Sequence, residues 1–248
     1  MKKSLALSAG LALVALPLAT APALASSSGP VDLVANLTQL NDSGASAELT
    51  GTLDGDDLTL TMTTSGLLEG APHAQHIHIG GNGTCPANGA EGSGADGAFQ
   101  TSDGASTYGG IAVSLTTEGD TSPDSGLAVD RFPTGNYTYE RTIEVSDEVA
   151  DQIAAGDGVV VVHGVDQNGS GTYDGDVPSD LDPTLPEEAT NPAACGTLDV
   201  AQMTMPEGGA ATGLGGTSTT TLVVVGGAAL AAAGAAGVVV ARRRAAQG

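Results

Sequence analysis

Lysine is absent between Asp32 and Glu207, and tryptophan is absent from the whole chain. That interval holds all 29 acidic side chains against 2 arginines, Arg131 and Arg141, which leaves a balance of about −27. A domain so charged repels phosphate, which argues against nucleic acid or anionic lipid as a partner and favours metal ions or cationic surface partners. The same acidity also keeps a surface rich in Ala and Gly soluble, which accounts for most of the carboxylates without any specific role. Aromatic residues are almost as scarce, with two phenylalanines and four tyrosines, so the core must be built from Val, Leu, Ile and Ala. The G-x-S-x-G elbow, H-E-x-x-H and the phosphate-binding P-loop are all missing, which removes the commonest signatures of serine hydrolases, zinc proteases and nucleotide hydrolases.

The two ends differ sharply from the middle. Lys2 and Lys3, an apolar segment from Leu5 to Leu18, and Ala23-Leu24-Ala25 before Ser26 follow the order of a secretory signal peptide over residues 1–25. Residues 221–241 are 21 uncharged residues followed at once by Arg242, Arg243 and Arg244. At about 1.5 Å per helical residue this segment can cross a hydrocarbon core of roughly 30 Å. The arginines would stay inside, making 242–248 a basic cytoplasmic tail, 205–220 a Pro/Gly/Thr stalk and 26–204 a single outside domain. The tail also resembles a cell-wall sorting signal, but Leu-Pro-x-Thr-Gly is not present and Gly209 to Gly213 comes nearest. A single-pass membrane anchor is the expectation, with the protein exported and its N-terminal domain on the cell surface.

Within the outside domain apolar residues alternate with polar ones, as at Val31, Leu33, Ala35 and Leu37, or Leu58, Leu60 and Met62. The pattern predicts a hairpin of 47–53 with 58–64, and further strands over 76–79, 111–116, 137–145, 159–163 and 196–203. One helix is expected over 147–155, capped by Ser146 and stopped by Gly156. Seven or eight short strands with one helix imply an all-β fold, an antiparallel β-sandwich or barrel. Residues 80–108 and 166–194 are too rich in Gly, Asp and Pro to be strands, and loops of that length carry function or disorder.

Three of the four histidines stand within six residues, at His73, His76 and His78. On a strand His76 and His78 share a face while His73 does not. His163 ends the run Val159 to Val162, which reads as a buried central strand. Three neutral imidazoles converging from two strands would suit copper or zinc. In an exported chain the two cysteines, Cys85 and Cys195, are expected to form one disulfide. Beyond His163, Asp166, Asn168, Ser170, Asp174 and Asp176 have the spacing of a calcium loop, although Val177 stands where an EF-hand has its glutamate. The alternative is a solvated Asp/Gly turn.

His-x-His on a strand, a cysteine soon after, a later Val-Val-His strand and a final Ala-Cys-Gly strand resemble, in that order, the landmarks of copper/zinc superoxide dismutases. The resemblance implies a Greek-key fold, with His76, His78 and His163 as copper ligands; His73 is expected beside them as an auxiliary ligand. No histidine lies between His78 and His163, so a zinc site is not expected, and the family's arginine just before the second cysteine is absent from Thr190 to Cys195. The acidity, which would repel superoxide, also points away from fast dismutation. A longer resemblance, from about Val31 to Leu198, is to the CHRD domain. It is carried by His73 to His78, Tyr108 to Ser122, Gly126 to Pro133, Val160 to Asp166 and Leu181 to Thr190. That resemblance implies a superoxide-dismutase-like β domain of unsettled biochemical activity, often at the cell surface. Together with the histidine pattern, the expectation is a non-enzymatic binding module with a mononuclear copper site. The alternatives are a copper-only redox enzyme and a purely adhesive or structural domain.

Overall fold

The computed structural model describes residues 29–201. The signal segment 1–25, the stalk 205–220, the apolar segment 221–241 and the basic tail 242–248 lie outside the described residues. Among those described, no helix is long and apolar enough to cross a membrane.

Alternating sequence becomes alternating burial. In β1 (Val31–Gln39) Leu33, Ala35 and Leu37 are buried, while in β3 (Asp57–Ser65) Leu58, Leu60 and Met62 are buried and Thr59 and Thr63 exposed. β2 (Ser46–Asp54) pairs with both, turning into β3 through Gly55 and Asp56. β6 (Thr138–Glu144) pairs with β3 and completes one arm. The other arm consists of β4 (Gln75–Gly80), β5 (Gly109–Ser114), β7 (Val159–His163) and β8 (Pro192–Thr197). The order across the sheet is β5-β4-β7-β8-β1-β2-β3-β6, with the short β9 (Asp199–Val200) beside β1, and every pairing is antiparallel.

β1 belongs to both arms. Its first seven residues pair with β2, and Thr38 and Gln39 pair with Cys195 and Ala194 of β8. The sheet therefore curls, and Ile77, Val113, Val160 and Val162 of one arm join Leu33, Leu49, Leu60, Met62 and Ile143 of the other in one core. The open side is tied by Arg141 of β6, whose guanidinium donates to the carbonyl and hydroxyl oxygens of Thr116 just beyond β5, at 2.6 and 2.7 Å. α1 (Asp147–Ala154) forms where expected: the Ser146 hydroxyl accepts from the Val149 amide, and Ala150 and Ile153 are buried.

The last strand begins earlier than its sequence suggests. Ala193, Ala194 and Cys195 are buried in β8, which starts at Pro192 instead of Gly196. A proline is tolerated as the first residue of a strand, where its missing N–H costs little, and here it disguises the strand as the end of an Asp/Pro-rich loop.

Both faces of the arm containing β7 are covered. Val160 and Val162 face the main core, while Val159 and Val161 pack with Leu40, Phe99, Tyr108 and Cys195 in a second cluster outside it. Each fully buried valine contributes roughly 1.5–3 kcal/mol. The segment between β4 and β5 forms the outer cover, and the Cys85–Cys195 disulfide pins that cover to β8. The same segment sets Tyr108 edge-on against His78 and brings the Thr101 hydroxyl to 3.3 Å from His163 Nδ1.

Candidate metal centre

In paired antiparallel strands, residues directly opposite share a face. His76 stands opposite Val161 and His78 opposite Val159, so both rings project to the outer face of the arm, under the cover. His163 reaches the same place from the end of β7. Each ligand strand pairs with a bulged neighbour: Ala112 of β5 is the extra residue where the register shifts between Ile77 and His78, and Ala193 of β8 where it shifts between Val162 and His163. Such bulges re-aim neighbouring side chains.

His76, His78 and His163 are 2%, 1% and 2% exposed, and one ring nitrogen from each lies within 4.8 Å of the others. One nitrogen of each ring meets a backbone carbonyl. His76 Nε2 donates to Gly126 at 3.0 Å, His78 Nδ1 to Gly109 at 3.0 Å and His163 Nδ1 to Thr190 at 2.7 Å. A neutral imidazole that donates through one nitrogen keeps a lone pair on the other. The nitrogens so defined, His76 Nδ1, His78 Nε2 and His163 Nε2, are buried and without a hydrogen-bond partner.

Three unpartnered lone pairs in a buried space are costly unless something binds them. The backbone carbonyls select the tautomers that direct those lone pairs inward, the outer arrangement that metal-binding histidines require. Ligands about 2.0–2.1 Å from an ion sit roughly 3.3–3.6 Å apart, so binding would draw the rings together by up to about 1.2–1.5 Å.

Burial holds all three rings in the neutral form. His78 is pushed down to about 4 and His163 to about 3, chiefly by loss of water, with His78 adding to the effect on His163. His76 is driven well below the usual histidine value by burial and then by its two neighbours. Neutral imidazole is the form that ligates. The aromatic scarcity of the chain is partly offset here, since Phe132 stands edge-on to His76 at 5.5 Å and Tyr108 to His78 at 4.8 Å.

His73 lies outside this group. Its Nδ1 is 2.8 Å from the His163 carbonyl and its Nε2 is 3.1 Å from the Leu68 carbonyl, while the Tyr173 hydroxyl approaches both nitrogens. It braces the backbone of His163 instead of offering a free nitrogen. The contact requires Gly164, at φ +100°, because a Cβ there would fall 2.0 Å from the Tyr173 hydroxyl oxygen.

Nor does the loop beginning at Asp166 gather its carboxylates. Asp166 turns onto its own backbone, accepting from Gly169, Ser170 and Gly171, and the Asn168 amide donates to Asp174. The Ser170 hydroxyl donates to the Thr172 carbonyl. Among the described residues the three histidines are the group whose ligand atoms converge; Asp166, Asp174 and Asp176 form none. A hollow of about 980 Å³ is an open groove lined by Asp42, Glu91, Asp96, Asp174 and Asp176 with no basic side chain, and it does not reach the histidines.

The carbonyls of Gly109, Gly126 and Thr190, and the Thr101 hydroxyl that donates to the last of these at 2.6 Å, had no signal in the sequence. Backbone acceptors carry no side-chain signature. No family model matches the chain, and no curated protein matches it.

Proposed function

We propose that this protein is an exported, membrane-anchored surface protein whose outer domain is of CHRD type and binds one copper ion through His76 Nδ1, His78 Nε2 and His163 Nε2. The observation that carries the metal site is the convergence of three buried, unpartnered nitrogens, each on a ring oriented by a backbone carbonyl. Copper is favoured because an all-imidazole set suits it and because the landmarks of the copper-binding family align with these three positions. A Greek-key barrel of superoxide dismutase type is consistent with the curled antiparallel sheet and its crossovers from β3 to β4 and from β6 to β7.

A binding module is preferred to a redox enzyme. The ligands are almost wholly buried and the domain charge of about −27 repels anionic substrates such as superoxide. The same charge favours cationic surface partners. The signal segment, the stalk and the membrane span rest on the sequence pattern alone. Copper loading of the purified chain, followed by metal analysis, tests the reading: one equivalent should be retained by wild type and lost when His76, His78 and His163 are replaced by Ala. Equal retention by both would refute it, as would bound copper that removes superoxide faster than free ion for the non-enzymatic assignment.

A further inference from the structure

Beside the histidines the wall is apolar. A hollow of about 10 Å³ borders His76 and His163 and is lined by Ala74, Ile111, Leu127 and Leu181, with Thr101 and Thr190. That is room for about one water molecule. Both threonine protons are already committed, from Thr101 to the Thr190 carbonyl at 2.6 Å and from Thr190 to the Ser179 hydroxyl at 2.7 Å. No carboxylate lines the hollow, and none joins the ligand group.

The consequence for a bound ion is electrostatic. The cost of placing an ion in a medium of low dielectric rises with the square of its charge, so a dication costs about four times as much as a monocation. Three neutral imidazoles offer dipoles but no compensating charge. The acidic surface attracts cations of either charge, but exposed charges are screened beyond about 8–10 Å. Coordination points the same way. Zinc(II) with three protein ligands keeps a bound water, and copper(II) prefers a tetragonal set, so each needs a further polar ligand. A water bound to the ion would donate its protons, and the Thr101 and Thr190 hydroxyl oxygens are the only side-chain oxygens lining the hollow to accept them, against four aliphatic side chains.

Resting on the copper reading above, we infer that this pocket selects the monovalent ion: it is a three-coordinate copper(I) site, with Ala74, Ile111, Leu127 and Leu181 disfavouring copper(II) and zinc(II). Leu181 is the informative position, because it is 42% exposed and can be changed without opening the core. A carboxylate placed there would bring negative charge to the mouth of the hollow.

The full chain in detergent would be titrated without oxygen against a chromophoric copper(I) chelator, and separately against copper(II) and zinc(II) chelators. X-ray absorption would count the nitrogen neighbours of bound copper. The expected Kd for copper(I) is at least roughly a hundredfold below those for the dications, with three nitrogen neighbours. Leu181→Asp should narrow the gap by roughly tenfold, and Leu181→Asn by less. Dication binding as tight as copper(I) binding, or a gap unmoved by Leu181→Asp, would overturn the selectivity and leave the metal site standing. If no ion binds, or copper binds away from nitrogen, the copper reading itself fails and this inference with it.

Discussion

Nε2 of His76 lies 3.0 Å from the carbonyl oxygen of Gly126, fifty residues away, and that one bond sets which nitrogen of the ring is free. The loop supplying the carbonyl is itself clamped. The buried Ser125 hydroxyl donates to Asp120 at 2.5 Å and accepts from Arg131 at 2.8 Å.

Ser125→Ala should therefore weaken metal binding by roughly tenfold, the lower end of what outer-shell changes cost. Competition titration gives the affinity, and urea unfolding should register a loss of only about 1 kcal/mol. Unchanged affinity would mean that Gly126 is held without the clamp.

Acid should destabilise the metal-free protein well above the carboxylate range. Burial in the folded state pushes His78 down to about 4 and His163 to about 3, against 6.5 for an ordinary histidine. Below 6.5 the unfolded chain takes up protons that the folded one refuses. Their stabilising contribution is thus whole above pH 6.5 and is lost as the pH falls towards 4 and 3, at up to about 1.4 kcal/mol per pH unit for each ring. Urea unfolding should show stability lower at pH 5 than at pH 7.5 by roughly 2–4 kcal/mol. His163→Gln should flatten that dependence; equal stability of wild type at the two pH values would show that the rings are not buried neutral.

Much of this arrangement was legible in the sequence, because it rests on periodicity. Alternation placed β1 to β7 within a few residues, and the offset of two put His76 and His78 on one face. What escaped was set by contacts distant in the chain. The start of β8 at Pro192 was hidden by the composition around it. The odd offset of His73 set it off the face of His76 and His78 but not its partners: its ring lies against the carbonyls of Leu68 and His163, while His76 keeps a free nitrogen. The second cluster under residues 80–108 was equally invisible, since a Gly-rich segment gives no sign that it covers two ligands.

The disulfide should matter for stability more than for the site. Cys85 and Cys195 close a separation of 110 residues, and chain entropy assigns such a loop about 4–5 kcal/mol. The Cys85→Ser, Cys195→Ser variant should lose roughly that amount in urea unfolding. A loss below about 1 kcal/mol would show that the cover is held by its packing against Val159, Val161 and Leu40.

Calcium should leave the melting temperature unchanged, because the carboxylates of Asp166, Asp174 and Asp176 do not gather into a ligand group. Asp166→Ala should cost about 1–3 kcal/mol through the lost bonds from the Gly169, Ser170 and Gly171 amides, with or without calcium. A rise in Tm on adding calcium, abolished by Asp166→Ala, would make the loop a cation site instead of a turn.

The three-histidine site is tested most directly by imidazole nitrogen NMR of the protein before and after anaerobic addition of copper(I), which is diamagnetic. Binding should move the resonances of His76 Nδ1, His78 Nε2 and His163 Nε2, leave the protonated nitrogen of each ring protonated, and leave His73 without a metal-bound nitrogen. Shifts confined to His73, or no shift at the three unpartnered nitrogens once one equivalent of copper is bound, would contradict the assignment.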